Sequence, residues 1–181
     1  MTTLAVHVYE NNLPGGATGQ TLPDYSYTLQ ATAVLHGGHI LQAQPNELQA
    51  IFYSERHDGQ HATKAITAAL AMMEQINVIN QHRHPDDAAD AAPLRISIGV
   101  DTGPVTIHTE MLNTHITANG KSLQIASQLR ELNKQAPFPT IFISAQTYQY
   151  LPDSTAWHIE NLGNTLWTAG QMLTVYAVVP Y

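Results

Sequence analysis

One stretch, Leu94–Ile107 (LRISIGVDTGPVTI), constrains the fold of this chain more than any other. Leu94, Ile96, Ile98 and Val100 alternate with Arg95, Ser97 and Gly99, the period of two expected of a strand with unlike faces. Asp101-Thr102-Gly103-Pro104 interrupts the run, and Val105 and Ile107 resume it. The stretch reads as a strand, a tight turn and a second strand, a hairpin at the middle of a sheet.

The remaining elements fall on either side of it. Leu4–Tyr9 reads as a first strand, and Asn11–Gln20 as a turn-rich loop. A helix starts at Pro23-Asp24, runs to about Leu35 and is stopped by Gly37-Gly38. His39–Ala43 and Glu47–Tyr53 are strands around a Gln44-Pro45-Asn46 turn. Asp58-Gly59 caps a long helix whose Ile66, Ala69, Leu70, Met73, Ile76 and Ile79 recur at helical spacing. Gln81–Ala92 is a polar, mobile segment, and Glu110–Ala118 a connector without a clear period. Ser122–Leu132 is a helix with Ile125, Ala126, Leu129 and Leu132 inward. Thr140–Ser144 is a short buried strand followed by a helical turn through Tyr150-Leu151. Trp157–Glu160 and Leu173–Val179 are the final strands. This order predicts an α+β layer: a mixed or antiparallel sheet with helices on one face, residues 1–181 forming a single domain.

Composition removes several kinds of function. The charge of −7 comes from 14 acidic and 7 basic residues, and the basic ones are scattered rather than striped, which argues against nucleic-acid binding. There is no cysteine, so disulfides, thiolate metal sites and a thiol nucleophile are excluded, as suits a reducing cytoplasm. No apolar run approaches the ~18 residues of a membrane span, so no membrane partner is expected.

The same segments carry a resemblance. The Leu94–Val105 run into threonine-glycine-proline-valine resembles the hairpin of class III adenylate/guanylate cyclase catalytic domains. HGGHILQ (36–42), ELQAIFYS (47–54) and ATKAITAALAMMEQIN (62–77) resemble successive elements of that family. So do GKSLQIASQLREL (120–132), TIFISAQTYQYL (140–151) and the tail IENLGNTLWTAGQMLTVYAVV (159–179), in the family's order. The resemblance covers nearly the whole chain and implies a ferredoxin-like nucleotide-cyclase fold. It also implies a homodimer with the site shared across the interface.

In that family two aspartates hold two divalent ions on a triphosphate. A lysine and an aspartate of the partner subunit read the base, and an asparagine and an arginine steady the transferring phosphorus. Carried over by flanking residues, the first metal position falls at Glu10, or at Tyr9 with a one-residue shift, and the second at Asn46. The base-reading positions fall at Gln42 and Lys121, the latter with reversed charge. The phosphorus-steadying pair falls at Gln124 and Gln128. A neutral amide is a poorer ligand for a hard dication than a carboxylate. The glycines of NNLPGGATG in the shortened loop after Glu10 offer amides to an anion or simply turn the chain.

Two readings stand. The first is a cyclase-homology domain without catalysis and with no cofactor, acting in signalling by binding itself, another protein or a small molecule in the old cleft. The second is a divergent class III cyclase turning ATP or GTP into cyclic nucleotide and pyrophosphate with Mg²⁺ or Mn²⁺. Other chemistry is thinly represented. His57 and His61 lie four apart but without a third ligand, and read as a solvated helix start. His82, His84, Asp86, Asp87 and Asp90 lie in the polar segment, and His7 packs within the sheet. Gly120-Lys121-Ser122 lacks the upstream glycine of a phosphate loop, since His115 stands there.

Overall fold

A computed structural model describes residues 1–10, 25–54, 59–82, 93–109, 116–152, 157–166 and 171–179. Strand β1 (Thr2–Glu10) is followed by helix α1 (Ser26–Leu35), strands β2 (Gly38–Gln44) and β3 (Glu47–Phe52), helix α2 (Gln60–His82) and strand β4 (Leu94–Thr102). A seven-stranded sheet has the order β2-β3-β1-β4-β7-β9-β8, with β7 at Ile141–Ser144, β8 at His158–Leu166 and β9 at Met172–Val179. Its first four strands, with α1 and α2 as crossovers, are a ferredoxin-like unit. The β4–β7 pair is parallel and the other pairs of this sheet are antiparallel, so the sheet is mixed and the α+β class holds.

Local chemistry explains the helix ends and faces. Gly37 adopts φ 81° just past α1, where its amide donates to Val34 O at 2.9 Å. A side chain there would be strained, so the glycine stops the helix. On α2, residues His61, Ala65, Ala68, Ala69, Met72 and Ile76 are buried at helical spacing, and the alanines let the helix lie close to the sheet. They meet Leu4, Val6, Val8, Leu48, Phe52, Ile98 and Val100, all within one apolar core. Gln81 and His82, expected in the polar segment, are the last residues of this helix. Residues 83–92, 11–24 and 55–58 lie outside the described residues, and with them the expected loop, His57, Asp58, His84, Asp86, Asp87 and Asp90.

Two expectations are corrected. Val105–Ile107 does not pair with Leu94–Val100. Strand β5 (Thr106–Thr109) leaves the sheet and forms a separate ribbon with β6 (Ile116–Asn119), inside the stretch read as a connector. The reason is that both edges of β4 are already taken, by β1 and by β7. Asp101 and Thr102 are not turn residues but continue β4 opposite Thr3 and Thr2. Secondly, the helices do not share one face. Helices α1 and α2 do, as the ferredoxin-like core requires, but α3 (Lys121–Asn133) packs on the other side, its Ser122 bonded to Thr3. Ser97, on the polar side of the β4 alternation, is therefore fully buried. A short helix, α4 (Ala145–Gln149), supplies the turn expected before Leu151, capped by Ser144 Oγ accepting from Thr147 N.

Candidate functional site

The register of β1 against β3 decides which of the family positions come together. His7 lies opposite Glu47, and Val8 N–H donates to Asn46 O at 2.9 Å. The β2–β3 turn is thus held against β1 two residues before Glu10, which closes that strand opposite Leu94. Glu10 and Asn46 accordingly occupy the same end of the sheet. Asn46 Oδ1 is buried and has no hydrogen-bond partner among the described residues. Its neighbour Glu47 is turned to the α3 side, where Oε2 lies 3.3 Å from Arg130 Nη1. No group of three potential metal ligands stands together among the described residues.

Around this end lies a polar cluster that sequence reasoning missed. His7 Nδ1 and Arg130 Nε are buried there without partners among the described residues. Arg130 Nη2 also reaches Glu131 Oε1 at 2.7 Å, and Lys134 Nζ reaches Glu131 Oε2 at 2.8 Å. Burial works to raise the Glu131 carboxyl, but contacts with Lys134 and Arg130 outweigh it and hold the group below its usual range. Burial, with Lys134 next in effect, lowers the pKa of His7. Burial likewise raises the Tyr9 phenol, whose hydroxyl donates to Lys134 O at 3.4 Å. No motif announces this cluster, because its members come from β1, β3 and α3.

Helix α3 presents the remaining positions. Its buried side, Ser122, Ala126, Leu129 and Asn133, lies on the sheet. Gly99 permits the close approach, since a Cβ there would collide with Ala126 O and Arg130 N. Asn133 Oδ1 accepts from Ile98 N–H at 2.9 Å, and Gln49 Nε2 donates to Leu123 O and Ser127 Oγ, each at 3.4 Å. The opposite stripe carries Lys121, Gln124 and Gln128, three and four residues apart, pointing away from the sheet. Lys121 and Gln124 are exposed and Gln128 is partly so. Gln42, exposed on β2, pairs with Gln49 and so flanks α3 on the same face. Lys121, however, stands at the Thr3–Asp101 end of the sheet, away from Asn46. One chain therefore places Glu10 and Asn46 at one end of the sheet, and Gln42 on the face that α3 covers.

The histidine reading needs one correction. His61 is not solvated but 6% exposed, with Nδ1 2.8 Å from Thr2 Oγ1 and its ring 5.1 Å from Tyr150. The signal was present, for His61 falls on the stripe of Ala65, Ala68, Ala69 and Met72. His82 is exposed at the end of α2, its Nδ1 2.7 Å from Val78 O.

Residues 46–179 match the family described as the adenylate and guanylate cyclase catalytic domain. No curated protein sequence matches the chain. Among solved structures, the adenylyl cyclase CyaB from P. aeruginosa is similar with a TM-score of 0.78 and 20% identity, over 99% of this chain and 93% of that one. The guanylate cyclase domain of RhGC from Catenaria anguillulae, solved with GTP, gives a TM-score of 0.70 and 18% identity over 98% and 96%. The non-canonical dimeric guanylyl cyclase domain of the RhoGC fusion protein from Blastocladiella emersonii gives 0.65 and 19% over 98% and 96%. At such identities the likeness is one of fold. Among the described residues no helix is long and apolar enough to cross a membrane.

Proposed function

The chain belongs to the family of adenylate and guanylate cyclase catalytic domains, and from that premise we propose that it is a member without cyclase activity, a binding or dimerisation module in signalling. Asn46 carries the reading. Nucleotidyl transfer in this family spreads the triphosphate charge over two dications, and hard dications are held by carboxylates. Here the second position offers one neutral, buried amide oxygen, while the adjacent carboxylate of Glu47 is engaged by Arg130. These residues do not fit a pair of metal ions, so no catalytic step is assigned to them and no resident cofactor is expected.

The other family positions support the same conclusion. Gln128 puts a neutral amide where a fixed positive charge would face developing negative charge, a loss of about 10²–10³-fold in rate by analogy with oxyanion donors. Gln124 is a methylene longer than asparagine, which displaces its amide from productive geometry. Gln42 and Lys121 do not reproduce a base-reading lysine and aspartate. The divergent-cyclase alternative draws on Glu10, a carboxylate at the first metal position.

A homodimer is the partner state this reading favours, with another signalling protein or a small molecule in the old cleft as the further binding modes. The Blastocladiella structure is described as a non-canonical dimer, so self-association occurs on this fold in more than one arrangement. In this chain α3 occupies the sheet face opposite α1 and α2, so the area it covers is not available as a dimer surface. We assign it to the outward stripe of α3 and to an apolar groove of about 680 Å³ between Leu132, Phe138, Phe142, Leu162, Val175 and Val179. Phe138 is 72% exposed there, as expected of a surface that another protein covers. The reading treats residues 1–181 as one domain and the cytoplasm as its compartment. The test of the central point is an assay for cyclic AMP and cyclic GMP with Mg²⁺ or Mn²⁺, whose predicted outcome is no product.

A further inference from the structure

Asn119 and Gly120 form the one Asn-Gly pair in the chain, a dipeptide that ordinarily marks a tight hairpin turn. Here it makes no such turn. Asn119 closes β6 opposite Thr106, and Gly120 continues extended, with φ 167° and ψ 154°, into the first turn of α3. What the glycine supplies is room: a Cβ on it would stand 2.6 Å from Pro104 O and 3.2 Å from Val105 Cα. The same missing side chain leaves the Gly120 nitrogen unshielded next to the exposed Asn119 carboxamide. Every other asparagine is followed by a residue with a side chain. Four of them are also held in place. Asn80 is bonded twice to Leu94, and Asn133 Oδ1 accepts from Ile98 N–H. Asn161 and Asn164 accept from Gly163 N–H and Thr174 Oγ1. No hydrogen bond among the described residues holds the Asn119 carboxamide.

The ribbon that carries Asn119 is small. Strands β5 and β6 have four residues each and form a two-stranded sheet of their own, an arrangement of marginal stability in water. It opens locally at lower cost than the seven-stranded sheet beside it. Opening releases Asn119 from the extended conformation and lets its Cγ reach the Gly120 nitrogen. Helix α3 stays anchored meanwhile, because Ser122 Oγ bonds to Thr3 Oγ1 and Asp101 O at 3.1 and 3.0 Å.

We propose that Asn119 is a site of self-modification, converting to aspartate and isoaspartate through a cyclic imide. The Gly120 nitrogen gives its proton to solvent and bonds to Asn119 Cγ, and the side-chain nitrogen leaves as ammonia. Water then opens the ring. Cleavage between Cγ and the Gly120 nitrogen gives aspartate. Cleavage between the main-chain carbonyl carbon and that nitrogen gives isoaspartate, whose backbone runs through Cβ and Cγ. Either product adds a negative charge at the start of α3, next to Lys121, where the helix dipole favours it. Isoaspartate also lengthens the main chain by a methylene just before a glycine seated against Pro104 O, which strains the entry to α3. The step is intramolecular and uses neither the metal nor the base positions, so it stands or falls apart from the question of cyclase activity.

The experiment incubates the whole folded chain for days in mildly alkaline buffer made with heavy-oxygen water. Peptides are then mapped by mass spectrometry with fragmentation that separates the two isomers. The peptide containing Asn119 should gain about 3 Da, or about 1 Da in ordinary water, as exchange of an amide for an acid requires. Isoaspartate should be the larger product, and Asn80, Asn133, Asn161 and Asn164 should stay unmodified. Asn119→Gln should abolish the new acidic species seen on anion exchange. The isoaspartate fraction should melt below Asn119→Asp, which carries the charge without the longer backbone. The same chain unfolded in guanidinium chloride sets the unhindered rate. Conversion there with none in the folded chain would overturn the proposal. So would a mass gain without heavy oxygen, or equal conversion at the four held asparagines. An isoaspartate fraction that melts with Asn119→Asp would overturn the effect assigned to it on α3.

Discussion

His7 lies on β1 with its ring 5.6 Å from that of Tyr9, and its Nδ1 is buried without a partner among the described residues. Burial first, then Lys134 and Arg130, disfavour its protonated form, against an opposing pull from Glu47 and Glu131. The folded protein therefore binds fewer protons at this site than the unfolded chain, between the depressed value and the ordinary one of about 6.5. Stability from His7 is full above about 6.5 and is lost as pH falls through that window. Asp101 has the opposite sign: its raised carboxyl favours the folded state at low pH and ceases to do so as pH rises, so it cannot produce a loss on acidification. We predict that the melting temperature falls between about pH 7 and pH 5, and that His7→Gln makes the fall shallower. Calorimetry in matched buffers checks this, and parallel pH profiles for the two proteins would contradict it.

The element that organises the site is α3, seated on the second face of the sheet through Gly99 and Asn133. Gly99→Ala forces a methyl into the backbone of Ala126 and Arg130, which should cost about 1–3 kcal/mol as an overpacked contact. Asn133→Leu leaves the buried Ile98 amide without its acceptor, at a cost of about 1–3 kcal/mol. Urea unfolding should show both midpoints lowered, and a wild-type midpoint in either variant would remove α3 from this role. The sequence made some of this legible. The alternation in Leu94–Val100 revealed β4, and the stripe from Ile66 to Ile76 revealed α2, because each buries a continuous apolar set. The expected hairpin failed because the neighbours of β4 come from distant β1 and β7, and alternation in one strand does not name its partners. The placement of α3 was hidden because its contact surface includes Ser97, Gly99, Ser122 and Asn133, small and polar residues that read as exposed. Likewise the placement of Glu10 and Asn46 at one end of the sheet was pointed to only by family resemblance, and the polar cluster of His7, Arg130 and Glu131 by no sequence signal at all.

For the molecule as a whole, assembly and catalysis are the open consequences. If the groove at Phe138 and Leu162 is a self-association surface, sedimentation at tens of micromolar should show a dimer, and Phe138→Glu should shift it to monomer. A wild-type species of 19.8 kDa under those conditions would count against the dimer. On the non-catalytic reading these surfaces would give the domain its role, since binding needs neither dication. The central claim concerns catalysis, and it is measured by mass-spectrometric detection of cyclic AMP and cyclic GMP, over hours at high protein concentration, with an active cyclase as control. The account predicts no product from ATP or GTP with Mg²⁺ or Mn²⁺. It also predicts none from Asn46→Asp, because residues that act as a unit are not rescued by restoring one of them. Clear turnover by the wild-type chain that Glu10→Ala abolishes would contradict it.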